Sequence, residues 1–415
     1  MHPQKNDLDS IADVTVIGAG PAGTAMAAFL HRARHGVRVL EATSFPRFVI
    51  GESLLPHCMD VLESAGLLEA VKARGYMVKP GALFLRGNER CGFTFGEQHT
   101  RGWGWTWQVP RADFDQTLSN EVERLGVPIH WKTSVTAASF DGTPTLEVRD
   151  ASGARHSVRS RFVVDASGYG RVLPKLLGLD RPSDLPTRMS LFTHVRGDRR
   201  PAGDEEGRIW ICVHPRGAWI WIIPFSNGLT SVGAVSTPDF FDGFTGSPEE
   251  KLRAILASEP SAAARLAGVS FEMDVQTLRG YSASVSQLSG PGYCLVGNAT
   301  EFLDPVFSSG VTLALESSQR AAGLVSRTLR GEKVDWATDY DAYMASGIDV
   351  FRTFVTRWYD GTLGEIFFGP RQDPQIRAQI CSVLGGYVWD ASNPLVREHA
   401  RKVPQLARIA RDAHA

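Results

Sequence analysis

The stretch DVTVIGAGPAGTAMAAFLHRARHGVRVLE, residues 13–41, decides the fold. It reads as an apolar strand, a glycine turn, a helix, and a second strand that ends in an acid. Gly18 forms the turn, Gly20 lets a pyrophosphate approach the backbone, and Gly23 lets the helix pack closely on the strand. Glu41 follows at the distance where a carboxylate accepts hydrogen bonds from a ribose. The stretch therefore predicts a Rossmann-type dinucleotide site.

One such fingerprint occurs in the chain, near its N-terminus, and this placement favours FAD over NAD. Three later segments support FAD. FPRFVIGES, residues 45–53, is a loop whose charged and small residues can run along the phosphates and the ring. VPRADFDQTL, residues 109–118, places Arg111 before a helix, and RFVVDASGYGRVL, residues 161–173, ends an apolar strand with Asp165.

At these segments the chain resembles the class A FAD monooxygenases, which have the fold of para-hydroxybenzoate hydroxylase. The resemblance implies that the Gly-Glu-Ser loop, Arg111 and the strand-end Asp165 contact FAD. YCLVGNATEFLDP, residues 293–305, matches the family segment in which an Asp holds the FAD ribose, but Asn298 stands here instead. An amide still bonds a hydroxyl but without charge assistance, so we expect weaker FAD binding than in the family.

The composition sets limits on the kind of protein. The 415 residues are 43% hydrophobic, and 44 basic residues nearly balance 45 acidic ones, so we expect a globular protein without a nucleic-acid partner. Five scattered cysteines predict free, mostly buried thiols in a reducing compartment and neither disulfides nor a metal site. The N-terminus resembles no signal peptide and no apolar run is long enough to cross a bilayer, so we expect a cytoplasmic location.

The predicted fold class is α/β, with a Rossmann-type FAD domain, an interleaved antiparallel-sheet substrate domain and a helical C-terminus. Apolar helical spacing begins at Val311, and alternating strands with Gly and Pro turns, GWTWQV at residues 104–109 among them, predict the sheet. We expect the C-terminal helices to pack on the outside of the FAD domain. The predicted segments are residues 1–75, 111–180 and 280–330 for the FAD domain, 76–110 and 181–279 for the substrate domain, and 331–415 for the helical region.

Two further motifs bear on the chemistry. WIWIIP, Trp219 to Pro224, is apolar on both faces of a strand, so it is either plain core or a rigid wall of two rings. WTWQVP, Trp105 to Pro110, has nearly the same pattern but leads directly into Arg111, and we assign it to structure. FLDPVFSSG, residues 302–310, precedes a helix with small residues, so its free backbone N–H groups can bind an anion or simply contact FAD.

W-x-W-x-I-P and F-x-x-P-x-x-S-x-G together resemble the flavin-dependent halogenases, especially the group that acts on phenols, pyrroles and related acyl units. The resemblance covers about residues 12–395. It implies that a halide near Ser309 and Gly310 reacts with the C4a hydroperoxide of FAD to give hypohalous acid. It also implies that Trp219 and Trp221 separate the flavin from the substrate.

The same resemblance implies a lysine between flavin and substrate, and Lys79 in YMVKPGALFLRG is the candidate. An ammonium in a dry tunnel can donate a hydrogen bond to hypohalous acid, and an amine of lowered pKa can form a haloamine. The alternative is a solvated loop lysine like Lys72. The implied substrate is an electron-rich aromatic, free or tethered to a carrier protein, and a separate NAD(P)H flavin reductase supplies reduced FAD.

Two other functions stay open from the sequence. One is an FAD-dependent monooxygenase or dehydrogenase/reductase of the same fold, and the other is a non-catalytic module that binds FAD or a carrier protein. The predicted site contains the catalytic residues Lys79, Trp219 and Trp221, the halide residues Ser309 and Gly310, and no metal. The predicted FAD contacts are Gly18, Gly20, Ala22, Gly23, Glu41, Arg47, Gly51, Glu52, Ser53, Arg111, Asp165, Asn298, Pro305, Gly310 and Val311.

Overall fold

The computed structural model describes residue 8 and residues 10–370 and 373–412. The prediction about a signal peptide concerns residues 1–10, most of which lie outside this range. The strands are β1 Ala12–Ile17, β2 Val37–Glu41, β3 Met77–Lys79, β4 Gly81–Arg86, β5 Glu89–Thr94, β6 Thr106–Gln108, β7 Ile129–Trp131, β8 Ser134–Ser139, β9 Thr145–Arg149, β10 Arg155–Asp165, β11 Asp180–Pro182, β12 Met189–Arg196, β13 Ile209–Val213, β14 Trp219–Pro224, β15 Leu229–Ser236, β16 Ser270–Phe271, β17 Gln276–Arg279, β18 Ala283–Val285, β19 Ser289–Gly290 and β20 Tyr293–Leu295.

The helices connect these strands and form the C-terminal region. They are α1 Pro21–Arg32, α2 His57–Ala65, α3 Leu68–Lys72, α4 Arg111–Arg124, α5 Val172–Leu176, α6 Pro238–Asp242, α7 Pro248–Ser258, α8 Pro260–Arg265, α9 Ser309–Leu329, α10 Tyr343–Tyr359, α11 Thr362–Phe367, α12 Pro374–Leu384, α13 Pro394–Arg397 and α14 His399–Asp412. Among the residues described, no helix is long and apolar enough to cross a membrane.

The first sheet carries the nucleotide fingerprint. Its strand order is β19-β20-β10-β1-β2-β7, and the β8–β9 hairpin continues from β10. The central strands β1, β2 and β10 pair in parallel, and β2 is buried along its whole length, as expected for strands covered on both faces. Helices α1 and α9 pack together on this sheet, where the Ser318 hydroxyl donates to the Ala22 carbonyl oxygen at 2.9 Å.

The second sheet has the order β16-β12-β15-β14-β13-β4-β5, and β17 also pairs with β12. Trp219, Trp221 and Ile223 of β14 face a core shared with the first sheet. Ile220 and Ile222 face the opposite way, into a core that α7 and α8 close. The sheet is antiparallel, as predicted, except that β13 and β4, which come from distant segments, pair in parallel.

Two further expectations need correction. The WTWQVP strand, β6, does not join the second sheet but pairs with β3 in a two-stranded ribbon. The C-terminal helices pack against both halves of the chain and not only on the FAD domain. The Phe367 ring lies 4.8 Å from Phe84 and 5.1 Å from Phe93 in the second sheet. The α/β class is confirmed, and each of the five cysteines, all within the described residues, is a buried thiol outside any disulfide.

Candidate active site

Both sheets line one cavity of about 470 Å³. The first sheet contributes the ends of β1 and β2, the second contributes β13 and β14, and the start of α9 closes one side. The cavity brings together most of the residues that the sequence predicts for the site. These are Gly18, Gly20, Ala22, Glu41, Arg47, Gly51, Glu52, Ser53, Arg111, Trp219, Trp221, Asn298, Pro305, Gly310 and Val311.

The glycine turn has the geometry that its sequence predicts. Gly18 has φ +100°, and a Cβ there would lie 2.6 Å from the Ala166 carbonyl oxygen, so only glycine fits. A Cβ on Gly23 would overlap the carbonyl oxygen of Gly18, which explains why Gly23 supports the turn without lining the cavity. Glu41 accepts the Ala19 N–H at 2.9 Å through one oxygen and the Thr43 N–H through the other, so its carboxylate is held in place.

The loop over residues 47–53 places charge beside this turn. The Arg47 guanidinium lies 3.6 Å from the point that a Cβ of residue 20 would occupy. Arg111 forms two hydrogen bonds to the buried Asp115 and donates to the Gly51 carbonyl oxygen at 3.2 Å. Arg47 therefore lies beside the turn where a pyrophosphate would bind, and Arg111 holds the neighbouring loop in place.

Asp165 has a supporting position. Its oxygens accept the backbone N–H groups of Ser167 at 2.8 Å and Leu173 at 2.6 Å, and it does not line the cavity. The cavity is lined instead by the segment that these bonds hold in place, Ser167 to Gly170. Burial raises the pKa of Asp165, although its hydrogen bonds favour the carboxylate.

At the start of α9 the small residues differ in their exposure to the cavity. Ser308, in the left-handed region with φ +57°, lines the cavity together with Gly310, whereas the side chain of Ser309 is buried and does not. The Asp304 carboxylate accepts the Val306 N–H at 3.0 Å and so holds the turn before α9. Burial raises the pKa of Asp304 to about 6.

Trp219 and Trp221 both present their rings to the cavity, with 5.8 Å between ring centroids. The Trp219 indole N–H donates to the Tyr359 hydroxyl at 3.0 Å, and that of Trp221 donates to the Ser231 hydroxyl at 3.0 Å. A Cβ on Gly233, which pairs with Trp221 across β14 and β15, would overlap the Trp221 ring. The wall therefore depends on a glycine in the neighbouring strand.

Lys79 is 1% exposed and does not line the cavity. Its ammonium donates to the Leu54 carbonyl oxygen at 2.7 Å and lies 5.4 Å from the centre of the Phe95 ring. Burial lowers the pKa of Lys79 to about 7. The alternative of a solvated loop lysine does not describe this position, since Lys79 ends a strand that pairs with β6.

The cavity fits FAD by its own chemistry. The amide oxygen of Asn298, one oxygen of Glu52 and the Ser53 hydroxyl are buried without a hydrogen-bond partner among the described residues. Polar atoms buried in this way need a partner, and FAD offers hydroxyls, phosphates and ring polar groups. The glycine turn and the Arg47 guanidinium beside it fit the pyrophosphate.

Residues 11–357 match the family described as FAD binding domain. The chain belongs to this FAD-binding family.

Its similarity to known family members extends along most of the chain. A pyrrole-2-carbonyl peptidyl-carrier-protein brominase from Pseudoalteromonas luteoviolacea is 28% identical, over 91% of this chain and 92% of its own length. The solved structure of the flavin-dependent brominase Bmp2 has a TM-score of 0.83 and 26% identity, covering 98% of this chain and 99% of that one. A solved flavoprotein/dehydrogenase from Cytophaga hutchinsonii has a TM-score of 0.95 and 48% identity, covering 98% of this chain and 100% of that one.

These findings confirm the predicted resemblance to flavin-dependent halogenases and the predicted binding of FAD. The predicted contacts left out several lining residues, among them Thr133 to Val135, Tyr169, Ile209 and Ser308. Thr133 to Val135 carry no local signal, because β7 brings them to the cavity by pairing with β2. Ser308 had a signal, since it lies inside the quoted FLDPVFSSG motif.

Proposed function

We propose that this FAD-family enzyme halogenates an electron-rich aromatic compound, a phenol, a pyrrole or an acyl group on a carrier protein. One observation carries the proposal. Trp219 and Trp221 line the cavity that fits FAD, whereas the buried Lys79 lies outside that lining. A buried lysine set apart from the flavin cavity suits an enzyme that passes on a small oxidant, whereas a hydroxylase needs direct contact between flavin and substrate.

Bound FAD, once reduced, supplies the electrons with which dioxygen oxidises a halide to hypohalous acid. The chain positions the cofactor with the glycine turn, Arg47, Arg111 and Asn298. The proposed halide position is the start of α9, where Ser309 and Gly310 contribute backbone N–H groups at the positive end of a 21-residue helix. Of these two, Gly310 lines the cavity, and Ser308 lines it beside Gly310.

Lys79 is the proposed acceptor of the oxidant. With a pKa lowered to about 7 by burial, both the ammonium and the amine are present near neutral pH. The ammonium can hold hypohalous acid by a hydrogen bond. The amine can instead exchange a proton for the halogen and release water, after which the aromatic carbon takes the halogen and returns its proton. Phe95 and Leu54 keep the Lys79 side chain in one place for either step.

Two partners belong to the proposal. A separate NAD(P)H flavin reductase supplies reduced FAD, because the sequence contains a single dinucleotide fingerprint. A carrier-tethered substrate is supported by the similarity to a brominase named for a pyrrolyl group on a peptidyl carrier protein.

Mass spectrometry tests the proposal. The protein is incubated with a flavin reductase, FAD, NADH, bromide and a panel of phenols and pyrroles, both free and tethered to a carrier protein. We expect a product with the isotope doublet of one bromine. A product that gains one oxygen at every bromide concentration would contradict halogenation and favour a monooxygenase.

The dehydrogenase alternative is favoured by the similarity to a structure described as a flavoprotein/dehydrogenase. It predicts that an organic substrate bleaches the FAD-loaded protein without oxygen, reductase or halide. Anaerobic absorption spectra of the same panel separate the two functions, and we expect no bleaching. Absence of both flavin retention and oxygen consumption would favour the non-catalytic module.

A further inference from the structure

Glu52 differs from the other charged residues of the cavity in having a free oxygen. Its Oε1 accepts a hydrogen bond from His194 Nε2 at 2.8 Å. Its Oε2 is buried and has no partner among the described residues. The carboxylate lines the FAD cavity, and its side chain is 0% exposed. A carboxyl group so placed can exchange a proton with whatever occupies the cavity.

The remaining ionisable groups of the cavity lining are less suited to proton exchange. Glu41 uses both oxygens to accept backbone N–H groups. Arg47 and Arg111 carry guanidinium groups that do not release protons near neutral pH. Burial raises the pKa of Tyr169 above its ordinary value. Glu52 is thus the one carboxylate among the described lining residues that has an oxygen without a hydrogen-bond partner.

His194 connects Glu52 to the outside. It lies on β12 near the end of the second sheet, and its side chain is 13% exposed. Its ring lies 5.5 Å from Phe48, a residue that is itself 40% exposed, and 5.4 Å from the buried Phe225. Its Nδ1 has no hydrogen-bond partner in the part of the chain that the structure describes. The imidazole therefore bridges a fully buried carboxylate and the solvent side of the sheet.

The proposed reaction consumes protons inside this cavity. Reduced flavin as FADH⁻, dioxygen, one halide and two protons give FAD, hypohalous acid and water. The Trp219 and Trp221 wall offers no route, since both indole N–H groups are already bonded and an indole is donor only. Protons therefore need a path into the cavity other than the Trp219 and Trp221 wall.

We propose that Glu52 and His194 form the proton relay that serves the FAD cavity, an inference that rests on the proposed function. His194 takes a proton from solvent at Nδ1 and passes the proton on Nε2 to Oε1 of Glu52, while Glu52 gives the proton on Oε2 to an oxygen atom in the cavity. Rotation of the carboxyl group then brings the new proton to the cavity side, and the neutral imidazole returns to its starting tautomer by giving its Nδ1 proton to solvent and regaining one at Nε2. No electrons move in these steps, and each proton released inside is replaced from outside.

The first measurement examines the pair itself. The full chain, labelled with ¹³C and ¹⁵N in histidine, is examined by NMR with and without FAD. We expect the ¹⁵N chemical shift of His194 Nε2 to change in Glu52→Gln, because its carboxylate hydrogen-bond partner is lost. An unchanged ¹⁵N signal of His194 would show that the two groups are not hydrogen-bonded in solution and would overturn the relay.

The second measurement follows flavin oxidation by stopped-flow absorbance, with pre-reduced FAD on the protein, oxygen, and neither halide nor substrate. This half-reaction needs one proton and forms hydrogen peroxide, so it reports on the relay whether or not the protein halogenates. We expect His194→Phe and His194→Gln to slow it at least about tenfold and to remove its pH dependence. Small imidazoles of increasing basicity should restore the rate in order of their pKa.

His156→Gln is the matched control, because His156 pairs with Asp150 at 2.7 Å but neither residue lines the cavity. It should oxidise flavin like the unchanged protein. Unchanged rates in both His194 variants would overturn the relay. Slowed rates that no imidazole restores, accompanied by a raised FAD dissociation constant, would also overturn it, since they indicate that His194 only positions the loop.

Discussion

The W-x-W pattern occurs twice, and the two copies have different surroundings. In WTWQVP, β6 belongs to a two-stranded ribbon with β3. The Trp107 ring is buried in the core, 5.2 Å from Trp105, and does not line the FAD cavity. In WIWIIP, β14 lies in the middle of the second sheet, and both Trp rings line the cavity.

The difference teaches that neighbouring strands decide what such a pattern does. Beside β14, Gly233 leaves room for the Trp221 ring to face the cavity. Beside β6, the important contacts come from the backbone. Thr106 pairs with Lys79, and the Trp107 carbonyl oxygen accepts the Leu54 N–H at 3.1 Å. WTWQVP is scaffold, as expected, but it is the scaffold that holds the proposed reactive lysine and the carbonyl that this lysine contacts.

The largest expected effect tests what the β3–β6 ribbon is for. Lys79→Ala should lower bromination at least about a hundredfold, because the oxidant loses its proposed acceptor, while flavin oxidation continues. Product formation and hydrogen peroxide are measured together. Lys72→Ala is the matched control, because Lys72 is an exposed lysine paired with Glu69. Bromination that persists in Lys79→Ala would remove this lysine from the mechanism.

The second test compares the two copies directly. Trp107→Ala and Trp219→Ala should each lower the free energy of unfolding by about 3–5 kcal/mol, because each empties a buried site. Only Trp219→Ala should also weaken FAD binding, since only Trp219 lines the cavity. Urea unfolding and FAD titration measure the two quantities. Equal loss of FAD affinity in both variants would mean that the copies do not differ as described.

Much of the site was predictable because its signals are local. The glycine fingerprint, the Gly-Glu-Ser loop and the FLDPVFSSG motif each fix a short backbone shape from adjacent residues, and each reaches the cavity. The alternation of WIWIIP also predicted correctly that its strand is buried on both faces.

The rest depended on partners that are distant in sequence. Strand β13 pairs in parallel with β4 across more than a hundred residues, and β6 leaves the sheet to pair with β3. The Glu52–His194 contact joins residues 142 positions apart. The spacing of apolar residues and the composition indicate which face of a strand is apolar, but they do not identify the strand that pairs with it.

The third test uses the pH dependence of the buried lysine. Its pKa is lowered by burial from 10.5 to about 7, so between these values the unfolded chain binds more protons than the folded one. This group therefore makes the free energy of unfolding rise with pH from 7 to 10.5, and its penalty is full below pH 7. Lys79→Met removes this penalty, so its gain in the free energy of unfolding over the unchanged protein should be larger at pH 6 than at pH 10. The difference should be on the order of a few kcal/mol. A difference that does not vary with pH would place Lys79 in water.

The fourth test alters the wall from the neighbouring strand. Gly233→Ala should cost about 1–3 kcal/mol, because the added methyl group overlaps the Trp221 ring and crowds Phe192. It should also weaken FAD binding. Gly323→Ala is the control, since this exposed glycine of α9 has open space around it and should gain about 0.5–1 kcal/mol. If Gly233→Ala leaves both stability and FAD binding unchanged, the Trp221 ring is not fixed by β15.

The smallest expected effect distinguishes the bulk of the Trp219 ring from the orientation that its indole hydrogen bond gives it. The Trp219 indole donates to Tyr359, whose hydroxyl donates to Asp304 at 2.9 Å, so the wall is tied to the turn before α9. Trp219→Phe should cost about 1 kcal/mol for the lost hydrogen bond, and less in a Tyr359→Phe background where that bond is already absent. Trp105→Phe keeps its ring contacts and should change stability by about 0.5 kcal/mol or less.

A double-mutant cycle by urea unfolding measures this coupling, and additive costs would show that the bond contributes nothing. Coupling without loss of bromination would mean that the rings exclude the substrate by their bulk alone. Coupling with loss of bromination would mean that the angle of the indole also matters, because a phenyl ring of the same placement would still fill most of the space. In either case the contrast with WTWQVP holds, since the distinctive property of β14 is that its side chains, and not its backbone, reach the FAD cavity.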